Sequence, residues 1–255
     1  YESGLSYAGD WVIGNDGTIV SPEFREGTVG IAGNAFFQSA LTSVSFPDSV
    51  KYISDYAFAG SPELVSLDLG DGVLSVGRYA FAYCSYLGRG TVSLGTNLQT
   101  IGSYAFYQDS NLGDPLYGTI SIPDTVTKIG TYAFYGTYGF TQSSGGVVYL
   151  GDWAVGYVAE EAVPSITLRN GTVGISDYAF YNCTTISMIT IPYSVESIGN
   201  AAFFGCTGLV RVVFDETAAS SRLKEVGDYV FYKCSALSSV ELPMGIERIG
   251  RSAFY

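Results

Sequence analysis

The amino-acid sequence predicts an α/β repeat solenoid, in which each turn adds one strand to a parallel sheet and one short helical turn to another face. A hexapeptide ending in Phe, such as ISDYAF at 53–58 and again at 175–180, occurs nine times, usually every 22–28 residues. A short alternating apolar stretch precedes it. In seven turns the central strand residue lies 14 positions before the motif Phe, as from Val44 to Phe58. A constant spacing of this kind indicates a half-turn whose length is set by packing.

The nine copies share a final Phe, and they end at Phe36, Phe58, Phe81, Phe106, Phe134, Phe180, Phe203, Phe231 and Phe254. The preceding stretches alternate with a period of two and stop at Pro or Gly, as in LTSVSFP (41–47), GTISIP (118–123) and LSSVELP (237–243). This pattern is typical of half-buried strands. Within the motif, Ile53, Ala57 and Phe58 have the spacing of one helical turn, which predicts a short helical piece.

Two places interrupt the repeat in the same way. GDW occurs at 9–11 and at 151–153, and each copy is followed by GTVGI, at 27–31 and 171–175. We interpret residues 1–255 as a single solenoid of about ten turns. Residues 1–26 form a diverged N-terminal module, and residues 147–175 form an irregular second module whose strand at 147–150 runs through GDW into another strand. Since the chain stops inside a copy of the motif, we expect it to be a fragment of a longer protein.

The composition excludes several classes of function. The net charge is −12 and the few Lys and Arg residues are scattered, so neither nucleic acid nor an anionic membrane surface is an expected partner. No apolar run approaches the roughly 18–20 residues of a membrane span. The chain has no histidine, which excludes Ser-His-Asp and Cys-His catalysis and His-containing zinc sites. We expect no enzyme activity, no cofactor and no metal site.

The four cysteines follow the repeat. Cys84, Cys183, Cys206 and Cys234 each lie three residues after a motif Phe, where other copies carry Ser, Asp or Thr. We expect a column of small residues at a tight turn, with free and mostly buried thiols, although neighbouring turns could bring a pair near disulfide distance. The acidic pairs Glu160–Glu161 and Asp215–Glu216 lie in loops without the ligand density of a calcium site, so we interpret them as solvated charges.

The repeat unit I-G-x-x-A-F-x-x-C-x-x-L-x-x-[VI]-x-[IL]-P resembles the BspA-type leucine-rich repeat. Residues 198–214 (IGNAAFFGCTGLVRVVF) and 226–246 (VGDYVFYKCSALSSVELPMGI) match it nearly throughout. The resemblance implies a right-handed solenoid with a parallel β-sheet on the concave face and short helical turns and loops on the convex face. It also implies a secreted or cell-surface protein, usually bacterial, for which adhesion is the usual proposal and no catalytic residues are shared.

Outward positions of the predicted sheet carry the candidate site. Most of these positions hold Ser or Thr, but Val147, Tyr149, Met188, Arg211 and Val213 are apolar or cationic. Such an exposed cluster is typical of a protein-binding patch on the concave face. We therefore expect recognition of, or adhesion to, a host or neighbouring-cell protein at the cell surface or outside the cell. Two alternatives stay open: glycan binding along columns of Tyr beside the motif Phe, and a structural spacer that presents another domain.

Overall fold

The computed structural model describes residues 4–142, 146–159, 164–215 and 219–255. The Glu160–Glu161 pair and Glu216 lie outside these residues. The chain forms two compact units, one of residues 1–127 with 132–142 and the other of residues 128–131 with 143–255. Each unit is a stack of solenoid turns with parallel strands and very little helix. Among the described residues, no helix is long and apolar enough to span a bilayer.

The first unit contains two sheets. A hairpin of β1 (Leu5–Ala8) and β2 (Trp11–Asn15) starts the first sheet, and short parallel strands from successive turns follow it in the order β3 (Gly30–Ile31), β5 (Tyr52–Ile53), β7 (Ser75–Val76) and β9 (Thr100–Ile101). The second sheet is parallel and has the order β4 (Ser43–Ser45), β6 (Ser66–Asp68) and β8 (Val92–Ser93). A single helical turn, α1 (Tyr138–Thr141), is the helix of this unit among the described residues.

The second unit repeats this plan after β10 (Lys128–Ile129). Its hairpin pairs β11 (Gly146–Leu150) with β12 (Trp153–Val158), and parallel strands continue as β14 (Gly174–Ile175), β16 (Ser197–Ile198), β18 (Glu225–Val226) and β19 (Arg248–Ile249). The second sheet has the order β13 (Ser165–Thr167), β15 (Met188–Pro192) and β17 (Arg211–Asp215). The prediction that a strand at 147–150 continues through GDW into another strand is confirmed, and so is the parallel pairing.

The motif segments are turns and not the short helices that the spacing predicts. In every copy the residue two before the motif Phe has a positive φ, for example Tyr56 at 60°; these residues are Asn34, Tyr56, Tyr79, Tyr104, Tyr132, Tyr178, Ala201, Tyr229 and Ser252. This left-handed conformation prevents a continuous helix. It turns the backbone groups toward the next turn, and Phe58 N–H donates to Ala80 C=O at 2.7 Å. The segment therefore makes its hydrogen bonds between turns as well as within them.

The motif Phe rings form the centre of each core. In the first unit Phe36, Phe58, Phe81, Phe106 and Phe134 stack in sequence, with centroids 4.9–5.4 Å apart and planes within 8° of parallel. In the second unit Phe180, Phe203 and Phe231 stack at 5.0 and 5.4 Å. These rings are buried, and offset stacking adds to the free energy that burial of each ring contributes. The repeated Phe is therefore a core residue, as its spacing predicts, except for Phe254 in the last turn, which is 48% exposed.

Each hairpin begins its unit by placing a Trp ring on a glycine. A Cβ atom added to Gly30 would lie 2.6 Å from the Trp11 ring, and one added to Gly174 would lie 2.5 Å from the Trp153 ring. Both glycines belong to GTVGI, and both Trp residues belong to GDW. The two motifs recur together because the Trp ring needs a residue without a side chain on the neighbouring strand.

Candidate functional site

The outward face of β15 and β17 carries the centre of the candidate site. The parallel register pairs Met188 with Arg211 and Thr190 with Val213. The residues between them, such as Ile189 and Val212, are buried in the core. Since side chains alternate between the two faces of a sheet, Met188, Thr190, Arg211 and Val213 lie side by side on the outer surface. We call these four residues the β15–β17 face.

The structure places Val147 and Tyr149 elsewhere, which corrects the expectation that they share this face. Both lie in β11, which belongs to the hairpin sheet, and both pack against the core of the second unit. The Tyr149 hydroxyl accepts a hydrogen bond from Arg169 N–H at 2.9 Å, and the Arg169 guanidinium lies 4.4 Å from the centre of the Tyr149 ring. Tyr149 and Arg169 therefore stabilise the hairpin.

This anchoring by arginine is repeated in the first unit. The Arg169 guanidinium donates to Gly151 C=O in the turn of the second hairpin, and Arg25 occupies the same place in the first hairpin, 4.1 Å from the centre of the Tyr7 ring. In both hairpins the arginine backbone N–H also donates to the Tyr hydroxyl. The position of the arginine relative to GDW is the signal from which this structural role could have been recognised.

Arg211 makes the face cationic, and Val210 lies next to it, just before β17 begins. The Arg211 side chain is exposed, and within the described residues its guanidinium has no hydrogen bond, ion pair or ring contact. Val210, which sequence reasoning missed, is 55% exposed beside it. Thr42, Ser187 and Ser238 occupy the same place in other turns, but so does Val65, so the sequence contains no signal that singles out Val210. An apolar side chain there adds exposed hydrophobic surface next to an unpaired cation.

A groove runs along the free edge of β17. Its volume is about 510 Å³, and Val210–Phe214 line one wall while Ser238, Ser239, Glu241, Leu242 and Pro243 line the other. The predicted strand at 237–243 is not formed. In the first unit the predicted strand at 118–123 is also not formed, and a groove of about 550 Å³ separates this segment from β8. The third strand of each outer sheet thus has an open edge.

Three of the cysteine thiols form hydrogen bonds between neighbouring turns. All four are free, and three are buried. The Sγ atoms of Cys84, Cys206 and Cys234 each donate to the C=O of the motif Phe one turn earlier, at 3.3, 3.0 and 3.1 Å. The prediction of a small-residue column with free, mostly buried thiols is confirmed. Burial raises the pKa of Cys183 to about 12, so this thiol is a poor nucleophile at neutral pH.

Asp109 occupies the same column and is fully buried. Its Oδ1 atom accepts a hydrogen bond from Cys84 N–H at 2.8 Å, while Oδ2 has no partner within the described residues. Burial raises the pKa of this carboxyl well above its ordinary value, against the smaller effect of the bond from Cys84. A carboxyl at a place that elsewhere holds a hydroxyl or thiol donor is best accommodated in its protonated form.

The Tyr columns are packed ring on ring. Tyr79 stacks on Tyr56 at 5.0 Å and on Tyr104 at 4.5 Å, with planes 10° and 2° apart. Both faces of the Tyr79 ring are therefore covered by neighbouring turns. Sugar binding by aromatic residues uses the ring face, so this stacking favours the interpretation of the columns as packing between turns.

Within the residues that the structure describes, no group of three acidic or Cys residues could hold a metal ion.

Comparisons with known proteins identify one family model and several similar solved structures. A family model described as BspA type leucine rich repeat region matches residues 15–141 and 158–255, in six copies. No curated protein matches the chain. Similar solved structures include the leucine-rich repeat protein TpLRR of T. pallidum (20% identity, 94% of this chain and 90% of that chain covered, TM-score 0.44). Others are a leucine-rich cell surface protein of Faecalibacterium prausnitzii (20%, 91% and 89%, 0.37) and the pneumococcal vaccine antigen PcpA (17%, 96% and 75%, 0.41).

Proposed function

Because the chain belongs to the BspA-type leucine-rich repeat family, we propose that it is a non-enzymatic recognition or adhesion module of a secreted or cell-surface protein. Its partner is a protein of a host or of a neighbouring cell. Repeat stacks of this kind offer a rigid, extended surface for binding, and such a surface loses little conformational entropy when a partner docks.

One observation carries the proposal. Met188 and Arg211 are paired neighbours on the outer face of one sheet, and Val213 lies two residues further along the same strand. The corresponding positions in the first unit carry Ser43, Ser45 and Ser66 or other polar residues. Met and Arg are enriched at protein interfaces, whereas Ser is depleted there. The β15–β17 face therefore differs from an ordinary solvated sheet in the direction that favours protein binding.

The test is binding to an array of purified extracellular-matrix, plasma and bacterial surface proteins. We expect at least one saturable interaction, which Arg211→Glu and Met188→Thr each weaken by about fivefold or more. Ser45→Glu, on the outer face of the first unit, is the matched control and should leave binding unchanged. An array without any binder, or a binder that responds to Ser45→Glu and not to Arg211→Glu, would contradict the proposal.

A further inference from the structure

We infer that the groove along β17 binds an extended, acidic segment of the partner as an added parallel strand. This inference rests on the proposed function and deepens it, since it names the form in which the partner is recognised. The evidence lies in the backbone direction of β17, in the size of the groove and in the charge of its wall.

The register of the sheet directs backbone groups of β17 into the groove. In a parallel pair, alternate residues direct both N–H and C=O to the same neighbouring strand. Leu168 N–H donates forward to Thr190 C=O at 2.9 Å, so inward-facing residues in this sheet point their backbone groups toward the following turn. By the same register, Val212 and Phe214 direct their backbone N–H and C=O groups away from β15 and into the groove. Unpaired N–H and C=O groups at a sheet edge form a template for another strand.

The following turn does not use this template. Residues 237–243 have the sequence of a strand and lie across the groove, but they form no ladder with β17. No backbone hydrogen bond joins Val212 or Phe214 to that segment within the described residues. The groove volume of about 510 Å³ falls within the range of sites that enclose small ligands. β17 has five residues, which corresponds to a strand of about 16 Å.

Charge and shape specify the side chains of the occupant. On an added strand, one residue would lie beside Arg211 on the outer face and the residue two further on would lie beside Val213. Arg211 has no acidic partner among the described residues, so an acidic side chain suits the first of these places and a β-branched residue suits the second. The β17 groove has Arg211 in one wall and Glu241 in the other, whereas the groove beside β8 has Asp124 and no Lys or Arg in its walls. We therefore expect acidic segments to select the β17 groove.

The probe is the acetylated and amidated hexapeptide SEVTIT, whose Glu lies beside Arg211 in the parallel register. We expect saturable binding to the 255-residue chain at concentrations up to about 1 mM, with amide chemical-shift changes at Val212 and Phe214. Arg211→Glu should weaken binding about fivefold or more, and the peptide SKVTIT should regain that affinity with this variant. Methylation of the amide nitrogens of both Thr residues removes donors to β17 and should weaken binding about tenfold or more.

Several results would overturn the inference. These are absence of binding, equal binding of the N-methylated peptide, or shift changes at Ser93 and Ser121 instead of Val212 and Phe214. Hydrogen exchange at Val212 and Phe214 as slow as at Ile189 in the peptide-free protein would also overturn it, because the groove would then already be closed. If Arg211→Glu abolishes binding to an arrayed protein while the peptide does not bind, the strand inference fails and the proposed function stands. If the peptide binds as expected and no arrayed protein does, the strand inference stands and the proposed function fails.

Discussion

The replacement Asp109→Asn should stabilise the first unit, and by an amount that depends on pH. The Asp109 carboxyl is buried, and its pKa is raised well above the ordinary value because burial disfavours the carboxylate. The folded protein therefore holds a proton there that the unfolded chain releases at lower pH. The free energy of unfolding is highest below the ordinary carboxyl pKa of about 3.9, and it falls as the pH rises until the folded pKa is passed.

The slope follows from linkage. Between the two pKa values the folded state holds one proton that the unfolded state has released. The free energy of unfolding therefore falls by ~1.4 kcal/mol for each unit that the pH rises. Asn keeps the oxygen that accepts from Cys84 N–H and replaces the unpartnered oxygen with a neutral donor. The stability difference between Asp109→Asn and the natural chain should therefore grow by ~1.4 kcal/mol per pH unit above about pH 4 and then become constant.

The assay is urea unfolding followed by far-UV circular dichroism at half-unit steps from pH 3.5 to pH 8. Asp124→Asn removes an exposed carboxyl from the same unit and is the matched control, and it should retain the pH dependence of the natural chain. Asp177, whose pKa burial also raises, belongs to the second unit and is unchanged in both variants. A difference that is constant with pH, or one that shrinks as the pH rises, would refute the assignment of a protonated Asp109.

Three other predictions concern packing and reactivity. Gly30→Ala should destabilise the first unit by about 1–3 kcal/mol, because the new methyl group meets the Trp11 ring; Gly14→Ala, where a Cβ meets nothing within 4 Å, is its control in thermal unfolding. The Cys183 thiol should react with a disulfide reagent at pH 8 about 30-fold more slowly than a free thiol, because a pKa of about 12 instead of 9.0 lowers its thiolate fraction and the higher nucleophilicity of the thiolate offsets only part of that loss; a rate like that of glutathione would contradict this. Arg169→Ala should speed amide exchange in the second hairpin, because its stack on Tyr149 is lost; unchanged exchange in the hairpin would argue against an anchoring role.

Sequence periodicity identified the repeat and its core because both depend on local spacing. The constant distance of 14 residues between strand and motif Phe reflects the width of one turn, and the rings stack as this spacing predicts. The recurrence of GDW before GTVGI likewise located both interruptions of the repeat, which the structure shows to be hairpins. Such features need only that each turn solve the same packing problem, so a single sequence contains enough copies to reveal them.

The direction of the backbone within the motif required the structure. Ile53, Ala57 and Phe58 have helical spacing, yet Tyr56 between them has a φ of 60°. The conformation is set by hydrogen bonds to the next turn, such as that from Phe58 to Ala80. Spacing within one turn contains no information about such bonds, because their acceptors lie more than twenty residues away.

The sequence by itself determined the stacked turns, the buried Phe column, the thiol column and the apolar or cationic character of Met188, Arg211 and Val213. Only the tertiary structure decided that Val147 and Tyr149 lie in the hairpin sheet, and that 237–243 leaves one edge of β17 unpaired. The physical reason is that alternation specifies which side chains can face a core, whereas a strand exists only when a neighbour pairs with it.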